Sequence, residues 1–73
     1  MDLTQEEVAR LITYLRHKFG NDDITIMLRD KAKDSAEVML KGEFIGVIYK
    51  IVDEGETSYN FDMAILDIDL EGF

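Results

Sequence analysis

The hydrophobic and polar residues of this chain follow two different periods. In the first quarter of the chain, apolar residues recur every three or four positions, at Val8, Leu11, Ile12, Leu15 and Phe19. This spacing is typical of one face of an α-helix, whereas further along the chain apolar and polar residues alternate, as they do in β-strands. The pattern predicts a helix over about 5–19 and strands over about 24–28, 35–40, 43–52 and 56–70.

The ends of the predicted helix carry clear signals. Thr4 and Glu7 have the spacing of a capping box, in which two otherwise unpaired amide groups are satisfied. Leu3 and Val8 have the spacing of the hydrophobic staple that accompanies such a cap. Gly20 is placed to end the helix in a left-handed conformation. We therefore expect the helix to begin just after Thr4 and to end just before Gly20.

Two short polar segments predict hairpin turns. Lys41-Gly42 fits a two-residue turn, and residues 53–55 fit a three-residue loop that closes on a glycine bulge. These lengths place Val38 opposite Ile45 and Tyr49 opposite Tyr59. We expect one domain, residues 1–73, with an α+β fold in which one N-terminal helix packs on a four-stranded antiparallel meander sheet.

The predicted sheet is too apolar for one helix to cover. A helix with its side chains is about 10–12 Å across, whereas four strands span about 19 Å. The face turned away from the helix is apolar toward the end of strand four, through Met39, Phe44, Ala64, Leu66, Ile68 and Leu70. We interpret these residues as the interface of a homodimer that pairs strand four across a two-fold axis. The alternative is a monomer in which the end of strand four folds back beside strand one.

Composition narrows the classes of function. The chain has 73 residues, 16 acidic and 8 basic side chains, and a net charge of −8, which disfavours binding to nucleic acid and to anionic membranes. The lack of cysteine excludes disulfides and thiolate chemistry. No apolar run has the length of a membrane span, and the acidic N-terminus is unlike a signal peptide. We expect a cytoplasmic protein.

Candidate chemistry is sparse. His17 is the only histidine, and helical phase places it on the solvent side, where it helps the helix C-terminus. Without a nearby nucleophile it indicates no catalytic pair, so we do not expect an enzyme or a cofactor. Gly46 interrupts strand three, which indicates that a bulge, an aromatic ring or a partner's backbone approaches closely there.

Three carboxylates near the C-terminus form a weak candidate metal site. Asp67, Asp69 and Glu71 alternate as in the opening of a calcium-binding loop. Ile68 and Leu70 between them favour a strand instead, on which the carboxylates would share one side at intervals of about 7 Å. Such a row could hold a hydrated divalent cation loosely, although a charged strand end is the simpler interpretation.

Several segments together resemble a known family. They are KFG at 18–20, DSAEV at 34–38, EFIGV at 43–47, GE at 55–56, SYNF at 58–61 and MAILDIDL at 63–70. Over most of its length the chain resembles the small bacterial family known as domain of unknown function 3126. The resemblance implies a bacterial origin and a domain that stands alone, and it implies no activity or site.

Two functions remain open from the sequence. The first is a non-catalytic, homodimeric accessory or adaptor module that also has room for an unknown protein partner. The alternative is a binding protein for a small ligand or a divalent cation that uses the carboxylates at the end of strand four.

Overall fold

The computed structural model describes residues 2–72 and shows one helix followed by one sheet. The elements are α1 (Gln5–Phe19), β1 (Ile24–Leu28), β2 (Ser35–Leu40), β3 (Glu43–Asp53), β4 (Glu56–Asp62) and a short 3-10 helix (Asp67–Leu70). The sheet has the order β1-β2-β3-β4, and each neighbouring pair is antiparallel. The predicted α+β fold, a helix followed by an antiparallel meander, is confirmed.

Both predicted caps of α1 are present. The Thr4 hydroxyl accepts a hydrogen bond from the Glu7 amide, and the Glu7 carboxylate accepts one from the Thr4 amide. Gly20 adopts the left-handed conformation (φ 61°), and its amide donates to the carbonyl groups of Arg16 and His17. Local signals alone therefore set the bounds of this helix, because its caps depend on residues adjacent in sequence.

The hydrophobic core lies between α1 and the first three strands. Its buried residues come from both layers: Leu3, Val8, Leu15, Ile24, Ile26, Ala36, Val38 and Ile48. The backbone of α1 comes closest to β1, at one edge of the sheet. The helix therefore leaves the β3 and β4 side of the same face only partly covered.

The second hairpin turn is shorter than the sequence predicts. Glu54 and Gly55 form a two-residue turn in which both residues have positive φ (51° and 79°), while Asp53 pairs with Glu56. Two-residue turns of this kind match the twist of the flanking strands. The pairing of β3 with β4 shifts by one residue as a result, and the predicted pair of Tyr49 with Tyr59 is wrong.

A bulge between β2 and β3 also changes the register. Val38 pairs with Gly46 and Met39 with Phe44, so that Ile45 is an extra residue on β3. The predicted pair of Val38 with Ile45 is therefore wrong. Because side chains alternate along a strand, one extra residue exchanges the faces of everything beyond it. Ile48, rather than a neighbouring residue of β3, consequently enters the core.

The fourth strand is much shorter than predicted. β4 ends at Asp62, which pairs with Val47, and the prediction that the strand continues to residue 70 is wrong. The bulge at Ile45 interrupts the edge of β3 just where further residues of β4 would need a partner. The chain instead closes a local turn, in which the Asp69 carboxylate accepts a hydrogen bond of 2.9 Å from the Leu66 amide.

Candidate functional site

The sheet face turned away from α1 is an exposed apolar surface. Strand register places six apolar side chains on this open face: Met27, Met39, Phe44, Val47, Tyr49 and Ile51. Met27 is 58% exposed and Phe44 is 52% exposed. No element formed by residues 2–72 covers these side chains. Glu37 lies between Met27 and Val47 on the same face, so one charge interrupts the apolar side chains. Exposed apolar side chains grouped on one face are typical of sites where proteins bind other molecules.

A groove runs between α1 and strands β3 and β4 on the opposite face. This helix–strand groove has a volume of about 560 Å³. Its apolar lining comes from one side of the helix and from β3 and β4: Leu11, Tyr14, Leu15, Phe19, Ile48 and Phe61. Arg10 and Lys18 also border it, and they have no salt-bridge partner in the part of the chain that the structure describes. The groove therefore combines an apolar floor with a basic rim.

Glu7 lies at one end of the groove and connects α1 to β3 and β4. One carboxylate oxygen, Oε1, is 2.9 Å from Lys50 Nζ, and the other, Oε2, accepts a hydrogen bond from the Tyr59 hydroxyl. Lys50 also donates to the carbonyl oxygen of Asp2 at 3.1 Å. These contacts fasten the N-terminal segment to the sheet.

The same contacts change the pKa values of Glu7 and Tyr59. The hydrogen bond from Tyr59, followed by that from Lys50, lowers the pKa of Glu7 from 4.5 to about 2. The Glu7 carboxylate, together with burial, raises the pKa of Tyr59 above its ordinary value. A general base works best when its pKa lies near the operating pH, and Glu7 lies far below that range. The cluster is therefore suited to holding the fold together.

The C-terminal tail, residues 63–72, extends from the body of the protein. Its apolar side chains are exposed: Met63, Ile65, Leu66, Ile68 and Leu70. No helix or strand among residues 2–72 packs against the 3-10 helix of this tail. The tail thus exposes both apolar side chains and the carboxylates of Asp67, Asp69 and Glu71.

The structure divides the predicted interface into two parts. Met39 and Phe44 are paired on the open face, and Ala64 lines a shallow cavity with Phe44. Leu66, Ile68 and Leu70 lie in the tail instead of continuing β4. The interpretation of these residues as one continuous strand surface is therefore wrong, because β4 ends before Ala64 and the three residues that follow it in the set.

The predicted row of carboxylates is also absent. Asp67 and Asp69 lie in the 3-10 helix, where alternate residues do not share one side, and Asp69 is engaged with the Leu66 amide. Residues 2–72 contain no group of three histidine, cysteine, aspartate or glutamate residues arranged to hold a metal ion. His17 is exposed near the end of α1, as helical phase predicts.

One family model matches this chain. It is described as a protein of unknown function, DUF3126, and it matches residues 7–69 of the 73-residue chain. The chain belongs to the DUF3126 family. The resemblance seen in the sequence is confirmed, and the DUF3126 match includes most of α1, the whole sheet and most of the 3-10 helix. No curated protein and no solved structure matches the chain.

Gly46, which lies within the DUF3126 match, packs closely against β4. A Cβ atom added at Gly46 would lie 2.7 Å from Phe61 Cε1 and would also collide with the Asp62 carbonyl oxygen. The prediction that a bulge or an aromatic ring approaches this glycine is confirmed. Gly46 thus lets β4 and the Phe61 ring close over the core beside the groove.

Sequence reasoning missed the groove and its basic rim. Arg10, Tyr14 and Lys18 recur every four residues, which places them along one side of α1 beside the apolar stripe. This four-residue spacing is the sequence pattern from which the basic side of α1 could have been predicted. No sequence pattern predicts the ion pair between Lys50 and Glu7, because it depends on the shifted register of β3.

No helix within residues 2–72 is long and apolar enough to cross a membrane.

Proposed function

We propose that this chain is a non-catalytic homodimeric module that acts through protein association. The observation that carries the proposal is the apolar surface that the single helix leaves uncovered. α1 packs at the β1 edge of one sheet face, while the open face exposes Phe44 and its apolar neighbours. Burial of such surface against a second copy contributes about 25 cal/mol per Å² before the costs of association.

The edge of the sheet supports the same proposal. β4 is an edge strand whose outer backbone groups face away from β3. Edge strands of this kind pair readily with another strand, and a two-fold axis pairs two copies of the same edge. The net charge of −8 keeps the remaining surface soluble while the apolar surface is buried in the dimer.

The titratable groups support a role without catalysis. Glu7 is fully engaged by Thr4, Lys50 and Tyr59, and its pKa of about 2 keeps it ionised. His17 lies exposed on the solvent side of the helix. We place the module in the bacterial cytoplasm, as an accessory or adaptor subunit, on the basis of its composition and the sequence resemblance.

The mass of the protein in solution tests the proposal. Size-exclusion chromatography with light scattering should give the mass of a dimer for the full chain. Phe44→Asp should give a monomer, because a charge would be buried in the interface. Val52→Asp is the matched control, since Val52 is 41% exposed but lies outside the open face, and it should remain dimeric. A monomeric wild-type chain at every concentration would overturn the proposal.

A further inference from the structure

The helix–strand groove has the chemistry to receive a peptide that is both apolar and acidic. Its floor contains Leu11, Leu15 and Phe61, and its rim carries Arg10 and Lys18. The carboxylate at its end, that of Glu7, is already neutralised by Lys50 and hydrogen-bonded by Tyr59. The chain as a whole has twice as many acidic as basic residues, so this rim differs in sign from the rest of the molecule. Unpaired cations beside an apolar floor favour a ligand that brings carboxylates together with apolar side chains.

The C-terminal tail has the complementary pattern. Leu66, Ile68 and Leu70 are exposed, and Asp67 and Glu71 lie between and after them. Ile68 is 69% exposed, which is high for an apolar residue of this size. Exposure of an apolar segment that nothing within residues 2–72 covers indicates that another surface covers it.

The spacing of the charges on the two features agrees when residues 67–71 are extended rather than in the 3-10 conformation. Arg10 and Lys18 are eight residues apart on α1, which corresponds to about 12 Å along the helix axis. Asp67 and Glu71 are four residues apart, which corresponds to about 8 Å in a 3-10 helix and about 13 Å in an extended strand. Two carboxylates of the tail can therefore approach two cations of the rim while the apolar side chains between them face the floor.

The course of the tail favours a groove on another copy. The molecule measures 44 × 24 × 23 Å, an elongated shape for a chain of this size. The tail does not occupy the groove of its own chain, since Leu66, Ile68 and Leu70 are 59%, 69% and 62% exposed. A groove on a second copy is therefore the available site for these side chains.

On the basis of the homodimer proposed above, on which this inference rests, we propose that the groove of each copy binds the tail of the other. Residues 65–71 of one copy lie between α1 and β4 of the second, with Ile68 against the apolar floor. Asp67 and Glu71 pair with Lys18 and Arg10 across the rim. Two such contacts, related by the two-fold axis, hold each dimer together.

Charge reversal on each side of the contact tests this arrangement in the full chain. The groove variant carries Arg10→Glu and Lys18→Glu, and the tail variant carries Asp67→Lys and Glu71→Lys. All four positions are exposed, and Asp69 is left intact because it stabilises the local turn. We expect each variant to raise the dimer dissociation constant about tenfold or more, measured by analytical ultracentrifugation at low salt.

An equimolar mixture of the two variants should restore the wild-type dissociation constant. In the mixed dimer, each tail meets a groove of opposite charge. The chain that combines all four changes should also dimerise as the wild type does. The matched control, Asp22→Lys with Asp30→Lys, changes the net charge as the tail variant does but lies outside the tail, the groove and β4, and it should leave the dissociation constant close to the wild-type value.

Three results would overturn the inference. Unchanged dissociation constants in both reversal variants would show that the tail and the groove do not meet. Recovery in the fourfold variant without recovery in the mixture would show that the tail binds its own chain. A monomeric wild type would refute the homodimer and with it this inference. A dimer that is lost in Phe44→Asp but unaffected by charge reversal would refute only the contact between tail and groove, and the proposed function would still hold.

Discussion

At the scale of single residues, Glu7 connects three elements, α1, β3 and β4. Its carboxylate completes the cap at Thr4, pairs with Lys50 on β3 and accepts a hydrogen bond from Tyr59 on β4. The capping part of this role follows from sequence spacing alone. The contacts with β3 and β4 join residues more than forty positions apart, and no local pattern predicts them.

Replacement of Glu7 by glutamine tests the importance of this cluster. Glu7→Gln removes the charge that Lys50 and Tyr59 require while keeping the shape of the side chain. We expect the free energy of unfolding to fall by about 1–3 kcal/mol, because charged hydrogen bonds are lost from a largely buried site. Urea denaturation measures this change. Glu6→Gln, at an exposed neighbouring position, should change stability by less than about 0.5 kcal/mol.

The low pKa of Glu7 also predicts how stability depends on pH. The folded-state pKa of about 2 lies below the ordinary value of 4.5, so the folded protein holds this carboxylate in its charged form. Its contribution is complete above about pH 4.5 and is lost as the pH falls toward 2. Urea denaturation between pH 6 and 2 should show a smaller loss of stability in Glu7→Gln than in the wild type. Equal losses would contradict this assignment.

At the scale of elements, the helix and the first two strands were predictable, but the registers of β3 and β4 were not. α1, β1 and β2 have the predicted bounds because caps and alternating residues are local features. The length of a turn and the site of a bulge change pairing by one residue, and each change exchanges the faces of a strand. Those two differences moved Lys50 toward α1 and Tyr49 onto the open face.

Substitution of Gly46 tests how closely β4 packs against β3. Gly46→Ala places a Cβ atom against the Asp62 carbonyl and 2.7 Å from the Phe61 ring. Because a backbone atom cannot move aside cheaply, we expect a loss of about 1–3 kcal/mol, seen as a lower melting temperature. Val47→Ala, on the adjacent half-buried position, should cost less. A melting temperature equal to that of the wild type would show that β4 does not pack so closely on Gly46.

At the scale of the whole molecule, the small body carries more apolar surface than it can bury. A chain of this size buries only about 60% of the surface that its unfolded form exposes, so a second copy is an effective source of additional burial. The open face, the groove and the tail are the three surfaces that remain available. Their positions are consistent with a dimer in which stability and association are linked.

A substitution in the tail separates association from folding. Ile68→Asp should convert the dimer to a monomer, because Ile68 is buried only between copies in the proposed arrangement. The secondary structure of that monomer, followed by far-ultraviolet circular dichroism, should stay that of the wild type, since the 3-10 helix packs against no element of residues 2–72. His17→Ala, at an exposed site, should change neither mass nor fold. A fully dimeric Ile68→Asp would contradict the role of the tail.

The sequence by itself determined the order of the elements, the caps of α1, the antiparallel meander and the surplus of apolar residues. These properties follow from spacings of two to four residues, which act through local backbone geometry. Only the tertiary structure decided where β4 ends, which side of β3 faces the helix, and that Arg10 and Lys18 border an apolar groove. Each of these depends on a bulge, a turn or a packing contact between distant residues, whose energies local patterns do not encode.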